Sequence, residues 1–436
     1  MHTLADPLRH AARHYADNPA IICGDIRMNY AEMTARCRRL GGALKALGLA
    51  PGDRVAILAA NSHQYIETYM AVPAAGFAVV PLNTRHADAE LAYALQDSGA
   101  RILLIDREPG ALAAHVKRVI QIPDGYEVLI GEADEIELGE GVTEQTLAGL
   151  FYTGGTTGAS KGVMLSHRNL IANCHNWTGI TQPTPEDIAV VMAPLFHAAG
   201  SNSVIASIWS GGGQLVIPAF NPADILDQIA REGATQTLGV PIMIAALAEE
   251  QHANPRDVSS VRTVAHGASP IATEVIRRAI AAFPDAEFIH LYGATELAPL
   301  ATGLRHEELM PYSDLLRSCG QAAPGVAVRV MNEDGGECAP GEVGEIAVQG
   351  PNVMQGYWNK PAETAAALRD GWYFSGDLGY ADENSYIFLM DRAKDMIISG
   401  AENVYCTEVE EVLHQHPAVL QAAVFGIPDE KWGEAV

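Results

Sequence analysis

Short apolar runs alternate with amphipathic stretches along most of this chain, and that alternation constrains the fold more than any single motif. "RVAILAA" (54–60), "FAVVPLN" (77–83), "RILLID" (101–106), "AVVMAP" (189–194), "QLVIPA" (214–219) and "EFIHLYG" (287–293) read as buried strands. Between several of them lie stretches of helical period such as "ADAELAYALQDSG" and "PADILDQIAREG", whose closing glycines would stop the helices. The pattern predicts βαβ units and an α/β fold of largely parallel sheets covered by helices. From about residue 327 the character changes to short strands with turn signals, "VAVRVMNEDGGE", "GEIAVQG" and "SYIFLMD". A further break falls near "DRAKD", followed by "MIIS", a helical "TEVEEVLHQHP" and a strand "VLQAAVFGIPD". Three parts are expected: α/β subdomains over 1–326, a smaller β-rich subdomain over 327–393, and a small, incomplete α+β domain over 394–436 that reads as βαβ-like and cut short.

The chain's 436 residues exceed one ordinary core and leave volume for a buried site. Acidic residues outnumber basic ones 53 to 28, with no Lys/Arg-rich run, which argues against nucleic acid and anionic membrane surfaces as partners. A polyanionic ligand would have to be held by local groups against that field. The six cysteines form no C-x-x-C pair, so reduced, cytoplasmic thiols are expected rather than a zinc site or a disulfide framework. The N-terminus lacks the charge and apolar pattern of a signal peptide, and no apolar run is long enough for a membrane span.

"YTGGTTGASKG" (152–162) looks like a phosphate loop yet departs from G-x-x-x-x-G-K-[S/T], because Lys161 comes three residues after Gly158. The flanking "LAGLFY" and "GVMLSH" are both strand-like, with Ser166 a candidate N-cap for a helix over "HRNLIANCHNW". The loop therefore joins two strands. Gly154, Gly155 and Gly158 free its N–H groups to face a polyphosphate. Thr153, Thr156, Thr157 and Ser160 add hydroxyls, and Lys161 adds a point charge. A polar hairpin without a ligand is the competing reading.

A second cluster, "HLYGATELAP" (290–299), follows an apolar strand. Tyr292 could stack on a base, Thr295 could bind a phosphate oxygen, and Glu296 could hold Mg²⁺ bridging phosphates. In "GWYFSGDLGY", Asp377 could accept from two ribose hydroxyls, with Arg392 one strand later.

Together these stretches resemble the adenylate-forming superfamily of acyl-CoA synthetases, adenylation domains and luciferases, and most of all its fatty-acid or aryl-acid CoA ligases. The resemblance runs from "MNYAEMTARCRRLGGALKALGLAPGDRVAIL" to the end, through "YTGGTTGASKGVMLSH", "YGATE", "GYWNKPAETAAALRDGWYFSGDLGY" and "DRAKDMIISGAENVY". It implies an ATP-dependent carboxylic acid:CoA ligase, AMP-forming, with ATP, Mg²⁺ and CoA as cofactor and co-substrates, acting in fatty acid metabolism. The partners implied are small molecules, and a homodimer is allowed.

Carried over by position, Thr153, Gly154, Gly155, Thr156, Thr157, Gly158 and Lys161 would cradle the β- and γ-phosphates. Gly267, Ala268 and Ser269 would line the nucleotide and acyl groups. Tyr292, Gly293, Ala294 and Thr295 would meet adenine and the α-phosphate, Glu296 the metal, and Asp377 with Arg392 the ribose. His197, which beside an apolar run alone would read as core, would border the acyl pocket with Ala198, Ala199, Val240, Met243, Leu297, Ala298 and Leu300. "FHAA" carries no aspartate to pair with a substrate amine, which favours an acid without an α-amino group. Lys394 would be the hinge, and Gly400 with Ala401 the CoA tunnel. Ser160 stands where the family usually has proline, which bears on loop stiffness, and Ala401 stands where it usually has glycine, where a methyl would narrow the tunnel and make CoA less secure as acceptor than adenylation. The family's later lysine motif is not reached by Val436, and a non-catalytic nucleotide- or acyl-binding relative is the alternative.

Overall fold

The computed structural model describes residues 3–154, 160–269, 271, 273–305, 314–399, 402–414, 416, 419, 422–429 and 432–436. Each apolar run expected as a strand is one: Arg54–Leu58, Ala78–Pro81, Ile102–Ile105, Ile188–Val191, Gly213–Val216 and Glu287–Gly293. The two sample helices are Asp88–Ser98 and Pro222–Glu232, and each ends on a glycine in the left-handed region, Gly99 at φ 60° and Gly233 at φ 65°.

Two large sheets build an α/β fold. One has seven strands, with Ala78–Pro81, Arg54–Leu58, Ile102–Ile105 and Arg118–Gln121 parallel. The antiparallel pair Leu147–Thr153 and Lys161–Ser166 lies at its other side, and Gly356–Tyr357 is added at that edge. The other has nine strands, whose middle six run parallel from Pro19–Cys23 to Glu287–Gly293. The helix His63–Ala74 packs on the first sheet and against Ala198–Ser210, which packs on the second. Gln64 through Ala74 are all buried, as expected of a helix enclosed between layers.

Beyond residue 326 the strands Ala327–Met331, Gly344–Gln349, Trp372–Ala381 and Ile387–Arg392, with Leu368–Arg369, form a five-stranded antiparallel sheet. The last described residues depart from the βαβ expectation. Ile397–Ser399, Glu402–Val404, Ile427–Asp429 and Gly433–Ala435 pair antiparallel, and the helix Cys406–His414 packs on Ile387–Arg392. Among the described residues of the strand expected over 419–429, Ile427–Asp429 is a strand. Phe425 and Ile427 are 68% and 52% exposed, so apolar content marks no buried strand here. No helix of the described residues is long and apolar enough to cross a membrane.

Candidate active site

Neighbouring parallel strands of the nine-stranded sheet end at one cleft, the usual place for a ligand in an open α/β sheet. Ile188–Val191 runs on to Ala193 and Pro194, Gln236–Gly239 ends beside Val240, Thr263–Gly267 beside Ala268, and Glu287–Gly293 beside Ala294, Thr295 and Glu296. The backbones crowd closely here. A Cβ on Gly267 would lie 2.1 Å from the Leu291 carbonyl oxygen, and one on Gly293 would lie 1.8 Å from that of Pro299, so neither position admits a side chain. The cleft holds about 910 Å³.

The seven-stranded sheet contributes its hairpin. Thr153 and Lys161 face each other across the pair Leu147–Thr153 and Lys161–Ser166, and the Ser166 hydroxyl accepts from the Asn169 N–H to cap the following helix. The loop thus joins two strands, as its flanks indicated. Gly155, Thr156, Thr157 and Gly158 lie outside the described residues, as do Gly400 and Ala401 of the expected CoA tunnel. The Lys161 ammonium sits 4.4 Å from the centre of the Tyr357 ring, and the Tyr357 hydroxyl donates to Oε1 of Glu296 at 2.8 Å. Glu296 is nearly buried.

The third wall comes from the five-stranded sheet. Asp377 and Arg392 are opposite each other in the ladder, with Arg392 Nε 3.3 Å from Oδ1 of Asp377. The Tyr292 hydroxyl donates to Oδ2 of Asp377 at 2.8 Å. Burial pushes the Asp377 carboxyl above its ordinary value, against the hydrogen bond from Tyr292 and the charge of Arg392. Burial and the facing Asp377 charge raise the Tyr292 phenol. His197 opens part of its surface to the cleft, yet the surrounding atoms desolvate it. That desolvation, then the charges of Arg85 and His86, lower its pKa and favour the neutral imidazole.

Of the residues singled out in the sequence, Thr153, Gly154, Lys161, His197, Ala198, Ala199, Val240, Gly267, Ala268, Tyr292, Gly293, Ala294, Thr295, Glu296, Leu300, Asp377, Arg392 and Lys394 line this one cleft. Ser269, Met243, Leu297 and Ala298 do not line it. Met243 points into the core between the helix Pro241–Ala253 and its sheet, and Leu297 and Ala298 are fully buried in the main core. Sequence reasoning missed Tyr357, Lys360, Tyr373, Glu345 and Arg369, which also line the cleft. A signal existed for Tyr357 and Lys360 in the "GYWNKP" turn.

Among the described residues no three His, Cys, Asp or Glu side chains gather to hold a metal. A single carboxylate such as Glu296 nevertheless suits Mg²⁺, which takes one or two carboxylates and completes its shell with water and substrate phosphates. The donor set therefore fits the cation the chemistry calls for.

The model of the AMP-binding enzyme family matches residues 8–358, and that of the AMP-binding enzyme C-terminal domain matches residues 408–436. A feruloyl-CoA synthase of Amycolatopsis sp is 39% identical over 418 residues, covering 95% of this chain and 84% of that protein. A long-chain-fatty-acid–CoA ligase of Bacillus subtilis is 31% identical over 478 residues, covering 100% and 84%. Among solved structures, o-succinylbenzoate CoA synthetase from Bacillus subtilis, in complex with its acyl-adenylate intermediate, superposes with a TM-score of 0.89 at 32% identity, covering 98% of this chain and 86% of that one. ATP-bound MatB from Rhodopseudomonas palustris gives 0.88 at 31%, covering 99% and 87%. The chain belongs to the AMP-binding enzyme family, as an AMP-forming acyl-CoA synthetase.

Proposed function

We propose that this ligase activates an aryl carboxylic acid of the hydroxycinnamate type. The observation that carries the proposal is the gap in identity. Feruloyl-CoA synthases of Amycolatopsis sp and Streptomyces sp stand at 39%, against 34% for a medium/long-chain-fatty-acid–CoA ligase of Mycobacterium tuberculosis and 31% for the long-chain-fatty-acid–CoA ligases of Bacillus subtilis and Salmonella typhimurium. The acyl side of the cleft supports it. Ala193, Ala198, Ala199, Gly200 and Gly239 give low walls that suit a flat ring, and a neutral His197 could pair with a phenolic hydroxyl.

Two half-reactions share the cleft. An oxygen of the acid attacks the α-phosphorus of ATP as the bond to pyrophosphate breaks, leaving an acyl-adenylate. The CoA sulfur then attacks the acyl carbon, and the C–O bond to AMP breaks. Both reactants of the first step are anionic, so Lys161 and the hairpin N–H groups offset their repulsion where water is scarce. Mg²⁺ supplies charge neutralisation at the phosphates, and Glu296 is the residue that would hold it. Asp377 accepts from the ribose hydroxyls, Arg392 steadies Asp377, and the Tyr292 ring lies beside them for adenine. Thr295 donates to the α-phosphate. The chain beyond Lys394 turns about that residue between the steps. All six cysteines are free thiols, which suits a reducing compartment, and we place the enzyme in the cytoplasm.

Pyrophosphate release from ATP over a panel of cinnamic, benzoic and fatty acids, with and without CoA, tests this reading. Release led by hydroxycinnamates and raised by CoA is expected. Release led by fatty acids would overturn the acid class, and no acid-dependent release would overturn the activation itself.

A further inference from the structure

We propose that Tyr357 is a positioning residue that keeps Lys161 and Glu296 apart and separately aimed at the nucleotide. Lys161 reaches the cleft from one large sheet and Glu296 from the other. Opposite charges that share a partly dry cleft attract strongly, and a direct pair would neutralise both and have to break before a metal-bound triphosphate could enter. Among the described residues no ion pair joins them. Tyr357 stands between and satisfies each on its own terms. Its ring face receives the ammonium at 4.4 Å, and its hydroxyl donates to Oε1 of Glu296 at 2.8 Å.

The tyrosine is itself tied to both partners. It is 5% exposed, and it pairs with Val163 on the strand that begins at Lys161. Its N–H donates to Oγ1 of Thr364 at 2.9 Å, and the Trp358 N–H donates to the Gly162 carbonyl at 2.8 Å. On the other side the Met354 N–H donates to the Glu296 carbonyl at 2.8 Å. The segment 354–358 is therefore a strap between the phosphate lysine and the carboxylate. The inference rests on the assignment of those two groups to the triphosphate and its cation.

The test is ATP binding by titration calorimetry without acid or CoA, with Mg²⁺ and with EDTA, alongside pyrophosphate release. Tyr357→Phe keeps the ring and removes the hydroxyl. It is expected to weaken Mg²⁺-dependent ATP binding about tenfold, the worth of one hydrogen bond to a charged group. Metal-free binding should change less than about twofold, because the ring face that holds Lys161 remains. On a Glu296→Gln background the same substitution should change nothing further, since the hydroxyl acts through that carboxylate. Tyr357→Leu removes the ring as well and is expected to weaken metal-free binding too.

Unchanged Mg²⁺-dependent affinity in Tyr357→Phe would overturn the inference. So would an equal loss with and without metal, or an undiminished loss on the Glu296→Gln background, since a merely structural residue behaves that way. Coupled binding in a parent chain that releases no pyrophosphate with any acid would leave this inference standing and remove the acid-activation reading. Acid-dependent release with a silent Tyr357→Phe would do the reverse.

Discussion

The hydroxyl of Tyr292 donates to Oδ2 of Asp377 at 2.8 Å and ties the nine-stranded sheet to the five-stranded one at the cleft. In the proposed nucleotide role Asp377 would accept from two ribose hydroxyls as the carboxylate, yet burial raises its pKa. ATP affinity should therefore fall on acidification at a higher pH than an ordinary aspartate would set. A carboxyl with a raised pKa contributes stability below its unfolded value and loses it as pH rises through the folded one. Asp377→Asn should accordingly weaken ATP binding about tenfold or more at pH 7 and abolish the acid limb, without lowering the melting temperature of the free protein. Calorimetry from pH 5 to 8 beside thermal scans checks both halves. A melting temperature that falls along with affinity would contradict the sign.

Val240 follows the strand Gln236–Gly239, lines the cleft and remains partly exposed, where the proposed function puts the acyl group. Val240→Phe should shorten the acyl space. Misfit by one methylene in an apolar pocket changes kcat/KM by roughly 10- to 200-fold, so bulky acids should suffer by at least that order while KM for ATP stays within about twofold. Steady-state kinetics with a large and a small acid reads the split. Equal losses for both acids would place Val240 outside the acyl space.

Much of this site could be read before any coordinates, because its pieces are local. The hairpin around Lys161 is flanked by two apolar runs, and Asp377 and Arg392 sit on strands with clear turn signals. What could not be read is where a side chain near the end of a strand points. Val240 and Met243 are three residues apart, yet one lines the cleft and the other the core. The packing of the helix Pro241–Ala253 on its sheet decides the case, and periodicity alone does not. Tyr357 escaped for another reason. Its role arises from pairing with Val163 and bonding to Glu296, both remote in sequence, and no local pattern encodes that meeting. The apolar "VLQAAVFGIPD" misled in the opposite sense, since a strand reading presupposes a layer to cover it, and Phe425 is exposed.

Away from the cleft, Glu67 is fully buried on the enclosed helix His63–Ala74. Arg36 donates to it at 2.6 Å and to Glu127 at 2.9 Å, and the Tyr126 hydroxyl donates to Glu67 at 2.8 Å. Burial raises the Glu67 pKa while Arg36 opposes that shift, and both carboxylates hold the guanidinium charged. Arg36→Met leaves a buried carboxylate without its cation and should destabilise the protein by about 3–5 kcal/mol. Arg36→Met combined with Glu67→Leu should recover a large part of that loss, because no fully buried charge is left without a partner and Glu127 stays open to water. Denaturation midpoints of the two variants decide it, and an additive double variant would show that the pair does not act as a unit.

His167 and His290 set an acid limit on the fold. Nδ1 of His167 accepts from the Leu4 N–H at 3.0 Å, so a proton there would abolish the bond. Nδ1 of His290 donates to the Ser318 carbonyl at 2.9 Å, so its second proton would have to enter a buried setting on Nε2. Burial lowers both from 6.5 to about 4. Between those values the unfolded chain binds protons that the fold refuses. Stability is therefore complete above pH 6.5, falls as pH drops toward 4, and loses at most about 3 kcal/mol for each histidine. His290→Asn keeps a donor for Ser318 and removes the titrating group, so it should flatten the acid limb by about half while leaving the unfolding free energy at pH 7.5 within about 1 kcal/mol. Denaturant midpoints at pH 5, 6 and 7.5 measure the slope. An unchanged slope in His290→Asn would assign the acid limit to other groups.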